Sequence, residues 1–204
     1  MTPTRRYFDR HARSFDRVAA GRSPAALLRR GPRRGRELAV TVVSRSGAPT
    51  VLDVGCGPGR VAEAVLDAGA AAYTGIDLSS HMLELARRRV EGYPFVELIQ
   101  GDFLALPLRR SFDVVLALGL FDYLEQPARA AAWLHAHCSS TLVASFTRWD
   151  WLKGPLRHAH YGLHRCPVYD YTPAIAKEIL LGAGFSRIEF ASRGRRGFHV
   201  LAAA

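Results

Sequence analysis

The sequence predicts an α/β fold in which a doubly wound, largely parallel sheet is covered by helices on both faces. Two observations support this class. From Thr50 onwards, short apolar runs alternate with stretches of helical periodicity, which is the pattern of strand–helix–strand units. These runs are also rich in Val, Leu and Ile, as strands buried on both faces should be. A chain of 204 residues is long enough to bury one core of this kind without disulfide bonds.

Two helices are expected before the sheet begins. Over residues 4–20, semi-apolar side chains recur at spacings of three and four and so line one face of a helix. These side chains are Tyr7, His11, Phe15 and Val18. A loop at 21–24 separates this helix from a second helical stretch over about 25–44, which Gly31-Pro32 is expected to interrupt.

The remaining elements follow in alternation from Thr50 to the end of the chain. Five parallel strands are expected, and a terminal hairpin adds two more, the last of them antiparallel. The expected strands are Thr50–Val54, Ala72–Ile76, Phe95–Gln100, Phe112–Leu118, Thr141–Phe146, Ser186–Ala191 and Gly197–Leu201. The expected helices are Arg60–Ala68, one capped by Ser79 and running to about Val90, Pro127–His137, and one that opens at Thr172-Pro173 and closes at Gly182 or Gly184.

Positive charge is concentrated at the N-terminus. The net charge is +10, and residues 1–46 hold 12 Arg against three acids, a net of +9, while residues 47–204 carry a net of +1. We interpret the arginines as solvated helix surface, and an RNA-binding surface is the alternative. We therefore expect residues 1–46 to form a helical lid on a main domain that spans residues 47–204.

The composition also indicates the cellular location of the protein. No run of roughly 20 apolar residues occurs, so no membrane span is expected, and no apolar segment typical of a secretory signal follows Met1. The three cysteines, Cys56, Cys138 and Cys166, are odd in number and widely spaced. We therefore expect no disulfide framework and a cytoplasmic location. The oligomeric state stays open between monomer and homodimer.

The strongest motif is a glycine turn that directly follows the first strand. Glycine occupies positions 55, 57 and 59, and a helix begins immediately afterwards. Glycines allow a sharp turn and close approach of a ligand to the backbone, and the helix N-terminus offers unpaired N–H groups. The dinucleotide fingerprint GxGxxG would need glycine at position 60, where this chain has Arg60, so a nicotinamide-dependent dehydrogenase is disfavoured.

Carboxylates end the next two strands. Asp77 closes the second strand, where a carboxylate accepts hydrogen bonds from the vicinal hydroxyls of a ribose. Asp102 and Phe103 follow the third strand, where a carboxylate and an aromatic ring suit the amino group and the face of an adenine. Because strand ends meet at one edge of a parallel sheet, these side chains are expected to lie near the glycine turn.

Four stretches together resemble the class I S-adenosylmethionine-dependent methyltransferases. They are Val51–Gly59, Gly75–Leu83, Gln100–Phe103 and Ser111–Leu118. The resemblance is close over residues 50–147 and looser elsewhere. It implies a Rossmann-like sheet of seven strands in the order 3-2-1-4-5-7-6, with strand 7 antiparallel, and S-adenosyl-L-methionine as the cofactor.

The resemblance also implies which residues hold the cofactor. Asp53 and the turn formed by Gly55, Gly57 and Gly59 would hold its methionine moiety, and Asp77 would hold the ribose.

The same resemblance implies the surroundings of the adenine and of the sulfonium. The adenine pocket would comprise Leu78, Met82, Asp102 and Phe103. The backbone near Leu118 would run beside the sulfonium, and Tyr7 and Phe15 would belong to the lid over the cofactor.

The segment at about 147–171 is expected to set the substrate. It leaves the fifth strand at the ligand-binding edge, and the cofactor fold does not need it. Aromatic faces suit a planar ligand, and arginines suit a carboxylate or phosphate. The candidate substrate-binding residues are Arg148, Trp149, Trp151, Arg157 and Tyr161. A capping subdomain whose aromatic residues form their own small core is an equally weighted alternative.

A catalytic base is needed only where the acceptor must lose a proton, as a phenol does. The candidates are His158, His160, Asp122 and Tyr123. The two histidines, with His164 and Cys166, also have a spacing compatible with zinc. The loop-like composition around them favours solvated or hydrogen-bonded side chains, so no metal is predicted.

The leading interpretation is methyl transfer to O or N of a small, planar or hydrophobic molecule that is acidic or phenolic. One alternative is an RNA methyltransferase that uses the basic N-terminal segment. Against it, the chain reads Leu-Gly-Leu-Phe-Asp-Tyr over 118–123, where amino-methylating nucleic-acid enzymes of this superfamily carry Asn/Asp-Pro-Pro-Tyr/Phe. Another alternative is a non-catalytic cofactor-binding partner subunit, which the intact glycine turn disfavours.

Overall fold

The computed structural model describes residues 2–19 and 30–204. The helices are α1 (Pro3–Ala19), α2 (Arg30–Arg45), α3 (Arg60–Asp67), α4 (Ser80–Arg89), α5 (Pro127–Ala136), α6 (Gly154–Leu163) and α7 (Pro173–Gly182). The strands are β1 (Thr50–Val54), β2 (Ala72–Asp77), β3 (Val96–Gln100), β4 (Phe112–Ala117), β5 (Cys138–Thr147), β6 (Arg187–Gly194) and β7 (Gly197–Ala203). The loop expected at 21–24 and the expected start of the second helix lie outside the described residues.

The seven described strands form one sheet in the order β3-β2-β1-β4-β5-β7-β6. Strands β1 to β5 pair in parallel, and β7 runs antiparallel to both β5 and β6. The predicted fold class, strand order and antiparallel seventh strand are confirmed. The strand order switches direction between β1 and β4, and a ligand crevice is expected outside the carboxyl ends of strands at such a point.

Two apolar cores, one on each face of the sheet, hold the helices in place. On one face, Ala39 and Val43 of α2 are buried together with residues of α3 and α4. On the other, α5 and α7 bury Leu134 and Leu180 against the sheet. Within the described part of the chain, no helix combines the length and the apolar character needed to cross a membrane.

Two local differences from the sequence prediction have physical reasons. The segment at 154–163, expected to be loop-like, forms α6, because Pro155 occupies its first turn, where proline is tolerated, and Tyr161 is buried. Within the described residues, Gly31 and Pro32 belong to α2 and do not interrupt it, since they lie at the start of its described range, where proline removes no described helical hydrogen bond.

Helix α1 packs against α4, beside the glycine turn. Asp9 on α1 accepts a hydrogen bond from Ser79 Oγ at 2.6 Å, and Ser79 is the N-cap of α4. Asp16, two helical turns further along α1, accepts hydrogen bonds from Arg60 Nε at 2.9 Å and Arg89 Nη2 at 3.1 Å. Two carboxylates therefore fasten an otherwise arginine-rich helix to the domain.

Candidate active site

The glycine turn after β1 has the conformation that its composition predicts. Gly55, Gly57 and Gly59 have φ angles of 76°, 54° and 75°, a region that disfavours residues with a Cβ. A Cβ at Gly59 would also lie 2.9 Å from Ala86 Cα of α4, so glycine there permits close helix packing. No atom of the described chain comes within 4 Å of a Cβ built on Gly57, so the turn presents open backbone at this point.

Asp53, near the end of β1, is a buried carboxylate with 2% exposure. Its Oδ2 accepts a hydrogen bond from the Tyr73 hydroxyl at 2.8 Å. Burial raises the pKa of Asp53 to about 7, and the Tyr73 hydrogen bond only partly opposes this. Among the described residues, no Lys, Arg or His side chain forms an ion pair with Asp53.

Asp77, at the end of β2, holds the glycine turn in place through hydrogen bonds. One of its oxygens accepts the Gly57 N–H and the other accepts the Ser79 N–H, both at 2.8 Å. Burial raises the pKa of Asp77 from its usual range. A carboxylate offers about four lone-pair positions, so each oxygen keeps acceptor capacity for a vicinal diol.

These features fit a cationic cofactor with a ribose. Burying a carboxylate without a compensating cation is costly, and a positively charged group beside Asp53 would offset that cost. The ammonium of the methionine moiety of S-adenosylmethionine is such a group. Asp77 would receive the ribose hydroxyls, and the open backbone at Gly57 leaves room for the chain between them.

The other residues implied for the adenine and the sulfonium lie at the same edge of the sheet but differ in exposure. Leu78 is half-buried and Met82 is buried, with its N–H donated to Ser79 Oγ at 3.2 Å. Asp102 is exposed and accepts the Leu104 N–H.

Phe103 and Leu118 pack against neighbouring elements. Phe103 is buried edge-to-face against Trp133, with ring centroids 5.1 Å apart. Leu118, just past β4, packs toward Gly35 of α2. The implied cofactor roles of both residues stay predictions.

Tyr7 and Phe15 of α1 are predicted to belong to the lid over the cofactor, and that role stays a prediction. Tyr7 is buried, whereas the side chain of Phe15 lies outside the described part of the chain. Sequence reasoning missed Asp9 and Asp16, which anchor this helix. A signal was available, because they are the only acids on a helix with five arginines.

A cluster of aromatic and polar side chains joins α1, α6 and the turn after β4. The Tyr7 hydroxyl lies 3.1 Å from His160 Nε2, and the Tyr7 and Tyr161 ring centroids are 4.9 Å apart. The Tyr161 hydroxyl lies 3.0 Å from the Tyr123 hydroxyl. Burial raises the pKa of Tyr123 well above its usual range, with the neighbouring Tyr161 adding to the shift. We call these four residues the tyrosine–histidine cluster.

A second group on α6 is bound to acids within the chain. His158 Nε2 lies 2.5 Å from Asp170 Oδ2, and Arg157 Nη1 lies 3.1 Å from the other oxygen of Asp170. Arg157 Nη2 also lies 3.5 Å from Asp122 Oδ2. Asp122 accepts hydrogen bonds from the backbone N–H and hydroxyl of Thr147. This network ties α6 to the ends of β4 and β5.

The remaining predicted substrate residues lie in the exposed part of the segment. Trp149 is 40% exposed and contacts His158, with ring centroids 5.2 Å apart, while Trp151 is 88% exposed. The Arg148 side chain is exposed, and its N–H donates to the Arg196 carbonyl. Within the described ranges, no group of three or more His, Cys, Asp or Glu side chains is arranged to hold a metal ion.

Comparisons with known sequences agree with this geometry. Residues 51–140 match the family model of the methyltransferase domain. The chain is 28% identical over 183 residues to 2-phytyl-1,4-naphtoquinone methyltransferase of Thermosynechococcus vestitus, covering 76% of this chain and 80% of that protein. It is 34% identical over 91 residues to malonyl-[acyl-carrier protein] O-methyltransferase of Halalkalibacterium halodurans, covering 42% of this chain and only 34% of that longer protein.

A solved structure shares the fold over nearly the whole chain. Magnesium protoporphyrin IX methyltransferase from Synechocystis, with bound S-adenosylhomocysteine, has a TM-score of 0.75 at 21% identity. The match covers 98% of this chain and 96% of that one. The residues matched by the family model include the glycine turn and both carboxylates that end β1 and β2. Residues 51–140 therefore carry the sequence of a methyltransferase domain, and the chain has the fold of the class I S-adenosylmethionine-dependent methyltransferases, with a site that fits S-adenosylmethionine as the cofactor.

Proposed function

We propose that this chain transfers a methyl group from S-adenosylmethionine to an oxygen or nitrogen of a small molecule that is planar or hydrophobic and carries an acidic or phenolic group. The cofactor, when bound, supplies the electrophilic methyl group on its sulfonium. The residues of the chain align the acceptor, exclude water and take up a proton where the acceptor is a phenol.

The observation that carries this proposal is the tyrosine–histidine cluster. It lies where the turn after β4 meets α1 and α6, next to the segment that the family resemblance places beside the sulfonium. Its rings offer flat apolar faces, and its hydroxyls and imidazole offer polar atoms within the same small volume. A flat acceptor with one ionisable group requires this combination.

Within the cluster, His160 is the proposed proton acceptor. The Tyr7 hydroxyl at 3.1 Å orients its imidazole, while the ring itself stays exposed to an incoming ligand. Tyr123 has the opposite role, because its raised pKa keeps the hydroxyl protonated at neutral pH and available as a donor. His158 is bound to Asp170, so we propose that it orients α6 together with Arg157.

The exposed apolar side chains of this segment support a hydrophobic acceptor. Trp149, Trp151, Leu152 and Leu156 are all exposed, which is unusual for such large apolar groups unless they contact a partner or ligand. The relatives act on molecules of compatible chemistry. Their names include a phytyl naphthoquinone, ubiquinone biosynthesis and magnesium protoporphyrin IX, which are flat ring systems or lead to them.

Methyl transfer from labelled S-adenosylmethionine tests the proposal. The purified chain would be incubated with catechols, hydroquinones and aromatic carboxylic acids, and label in the product would be counted. His160→Gln should lower kcat on a phenol by about 10²-fold, the low end of what a positioned base contributes, with unchanged cofactor affinity. On a carboxylate acceptor, which has no proton to lose, the same change should leave kcat within a few-fold.

His81→Gln is the matched control, since His81 is an exposed histidine on α4 that lies outside the cluster. It should leave turnover of both acceptor types unchanged. Saturable cofactor binding without methylation of any acceptor would instead support the non-catalytic partner subunit. Equal turnover of a phenol by the parent and by His160→Gln would remove His160 as the proton acceptor.

A further inference from the structure

A cavity of about 310 Å³ lies between α1 and the end of α6, next to the tyrosine–histidine cluster. Helix α1 contributes Arg6, Tyr7, Arg10 and His11 to its walls. The end of α6 and the turn beyond it contribute Leu163, His164 and Arg165. The cavity therefore lies between the helix that packs on α4 and the segment expected to set the substrate.

The ionisable side chains that line this cavity are all basic. Three arginines and two histidines line it, and no Asp or Glu is among its lining residues. The two acids on α1 are engaged elsewhere: Asp9 binds Ser79, and Asp16 binds Arg60 and Arg89. The described part of the chain supplies no carboxylate partner for Arg6, Arg10 or Arg165.

Basic side chains are held close together here. The His11 and His164 ring centroids are 4.9 Å apart, and those of His160 and His164 are 5.0 Å apart. Burial, together with the neighbouring His11, His160 and Arg10, lowers the pKa of His164. Arg165 follows the C-cap of α6 and adopts φ 53°, the left-handed conformation with which helices commonly end. An anion in the cavity would offset the positive charge of the three arginines that line it.

The cavity also has an apolar wall. Leu163 is 84% exposed, and the buried ring of Tyr7 forms the boundary with the cluster. A small hydrated anion would leave this apolar surface unused, whereas an aromatic acid would cover it. The Tyr7 hydroxyl, on the other side of that boundary, contacts the proposed proton acceptor His160.

We propose that this cavity is a binding site for the carboxylate of an aromatic methyl acceptor, held by Arg6, Arg10 and Arg165. This inference rests on the proposed function, because it locates the acidic group of the same acceptor. A carboxylate bound here bridges α1 and α6 through charge-assisted hydrogen bonds, which are the strong class of hydrogen bond. The site thus recognises the acceptor and fastens α1 to the substrate-setting segment at the same time.

Fluorine NMR with 4-fluorobenzoate as the probe tests the site directly, since it detects weak binding without any turnover. The parent chain should bind one molecule saturably, and inorganic phosphate should compete only at higher concentration. Arg10→Gln combined with Arg165→Gln should weaken 4-fluorobenzoate binding by about tenfold or more, the loss expected for a charge-assisted hydrogen bond. Arg13→Gln, a change at an exposed arginine on the same helix, is the matched control and should bind like the parent.

Circular dichroism and calorimetry with S-adenosylmethionine on every variant separate this inference from the proposed function. The inference is overturned if the parent chain binds the cofactor but not 4-fluorobenzoate. It is also overturned if 4-fluorobenzoate binds the double variant as tightly as it binds the parent. Tighter binding of phosphate than of 4-fluorobenzoate would overturn the assignment to an aromatic acid. If 4-fluorobenzoate binds as expected while no acceptor is ever methylated, the site stands and the proposed function fails.

Discussion

Replacing Asp53 by Asn should remove a loss of stability that the parent chain undergoes as the pH rises. Burial raises the pKa of Asp53 from 3.8 to about 7, so between these values the folded chain holds a proton that the unfolded chain has lost. Because the folded state binds more protons there, the free energy of unfolding falls as the pH rises through this window. A shift of about three pKa units, at about 1.4 kcal/mol per unit, lowers the free energy of unfolding by up to about 4 kcal/mol above pH 7.

Asn cannot ionise but still accepts the Tyr73 hydroxyl, so the variant escapes this penalty. Urea unfolding of both proteins at pH 4.5, 6 and 8 measures the effect. The stability of Asp53→Asn relative to the parent should rise across the series and be highest at pH 8. Asp67→Asn is the control, because Asp67 also accepts a tyrosine hydroxyl, from Tyr93, but is exposed.

The same ionisation should control cofactor binding in the parent. Only the charged form of Asp53 attracts the ammonium of S-adenosylmethionine, so affinity should increase as the pH passes 7, and Asp53→Asn should lose that dependence. A stability difference that stays constant from pH 4.5 to 8 would refute this reasoning. It would mean that Asp53 is ionised in the folded chain throughout this range, as it is in the unfolded chain.

Three further predictions concern the turn and the helix beside it. Asp77→Asn should weaken S-adenosylmethionine binding in calorimetry by ~1.5–3 kcal/mol, the cost of losing a charged acceptor; equal affinity would remove it as the ribose partner. Gly59→Ala should lower stability by ~1–3 kcal/mol, because its Cβ would meet Ala86 in a left-handed conformation. Gly182→Ala, in open space at the end of α7, should not destabilise the chain in the same urea assay. Asp16→Asn should speed tryptic cleavage within α1, since it loosens two arginine contacts; an unchanged rate would mean that Asp16 is not an anchor.

Much of the fold could be predicted because its signals are local. Strand β1 spans the predicted Thr50–Val54, since an apolar run followed by glycine leaves little choice of boundary. Ser79 caps α4 as expected, with its Oγ accepting the Met82 N–H. The glycine turn and Asp77 come together because parallel strands end at one edge of the sheet.

What could not be predicted depends on contacts between distant segments. Asp9 and Asp16 reach Ser79 and Arg60 across 70 and 44 positions of sequence, so their rarity on an arginine-rich helix marks them as unusual but cannot name their partners. Arg60 stood out only as a departure from the dinucleotide fingerprint, whereas the structure shows it holding α1. Helix α6 was missed because its glycines and proline resemble a loop, while burial of Tyr161 against α1 stabilises it.

The orientation of polar side chains could not be predicted from the sequence either. Arg157 was expected to face the substrate, and the structure shows it paired with Asp170 and Asp122 inside the chain. His158 and His160, two positions apart on α6, point to different partners, as helical spacing requires. The choice of this segment stays a prediction, and the sequence could not distinguish between its side chains.

A crystal structure of the chain with S-adenosylhomocysteine tests the central claim most directly, namely that the glycine turn and its two carboxylates hold the cofactor. The account predicts both ribose hydroxyls within about 2.6–3.2 Å of the Asp77 carboxylate, and the ligand amino group beside Asp53. Ligand bound elsewhere, or with its ribose away from Asp77, would contradict it.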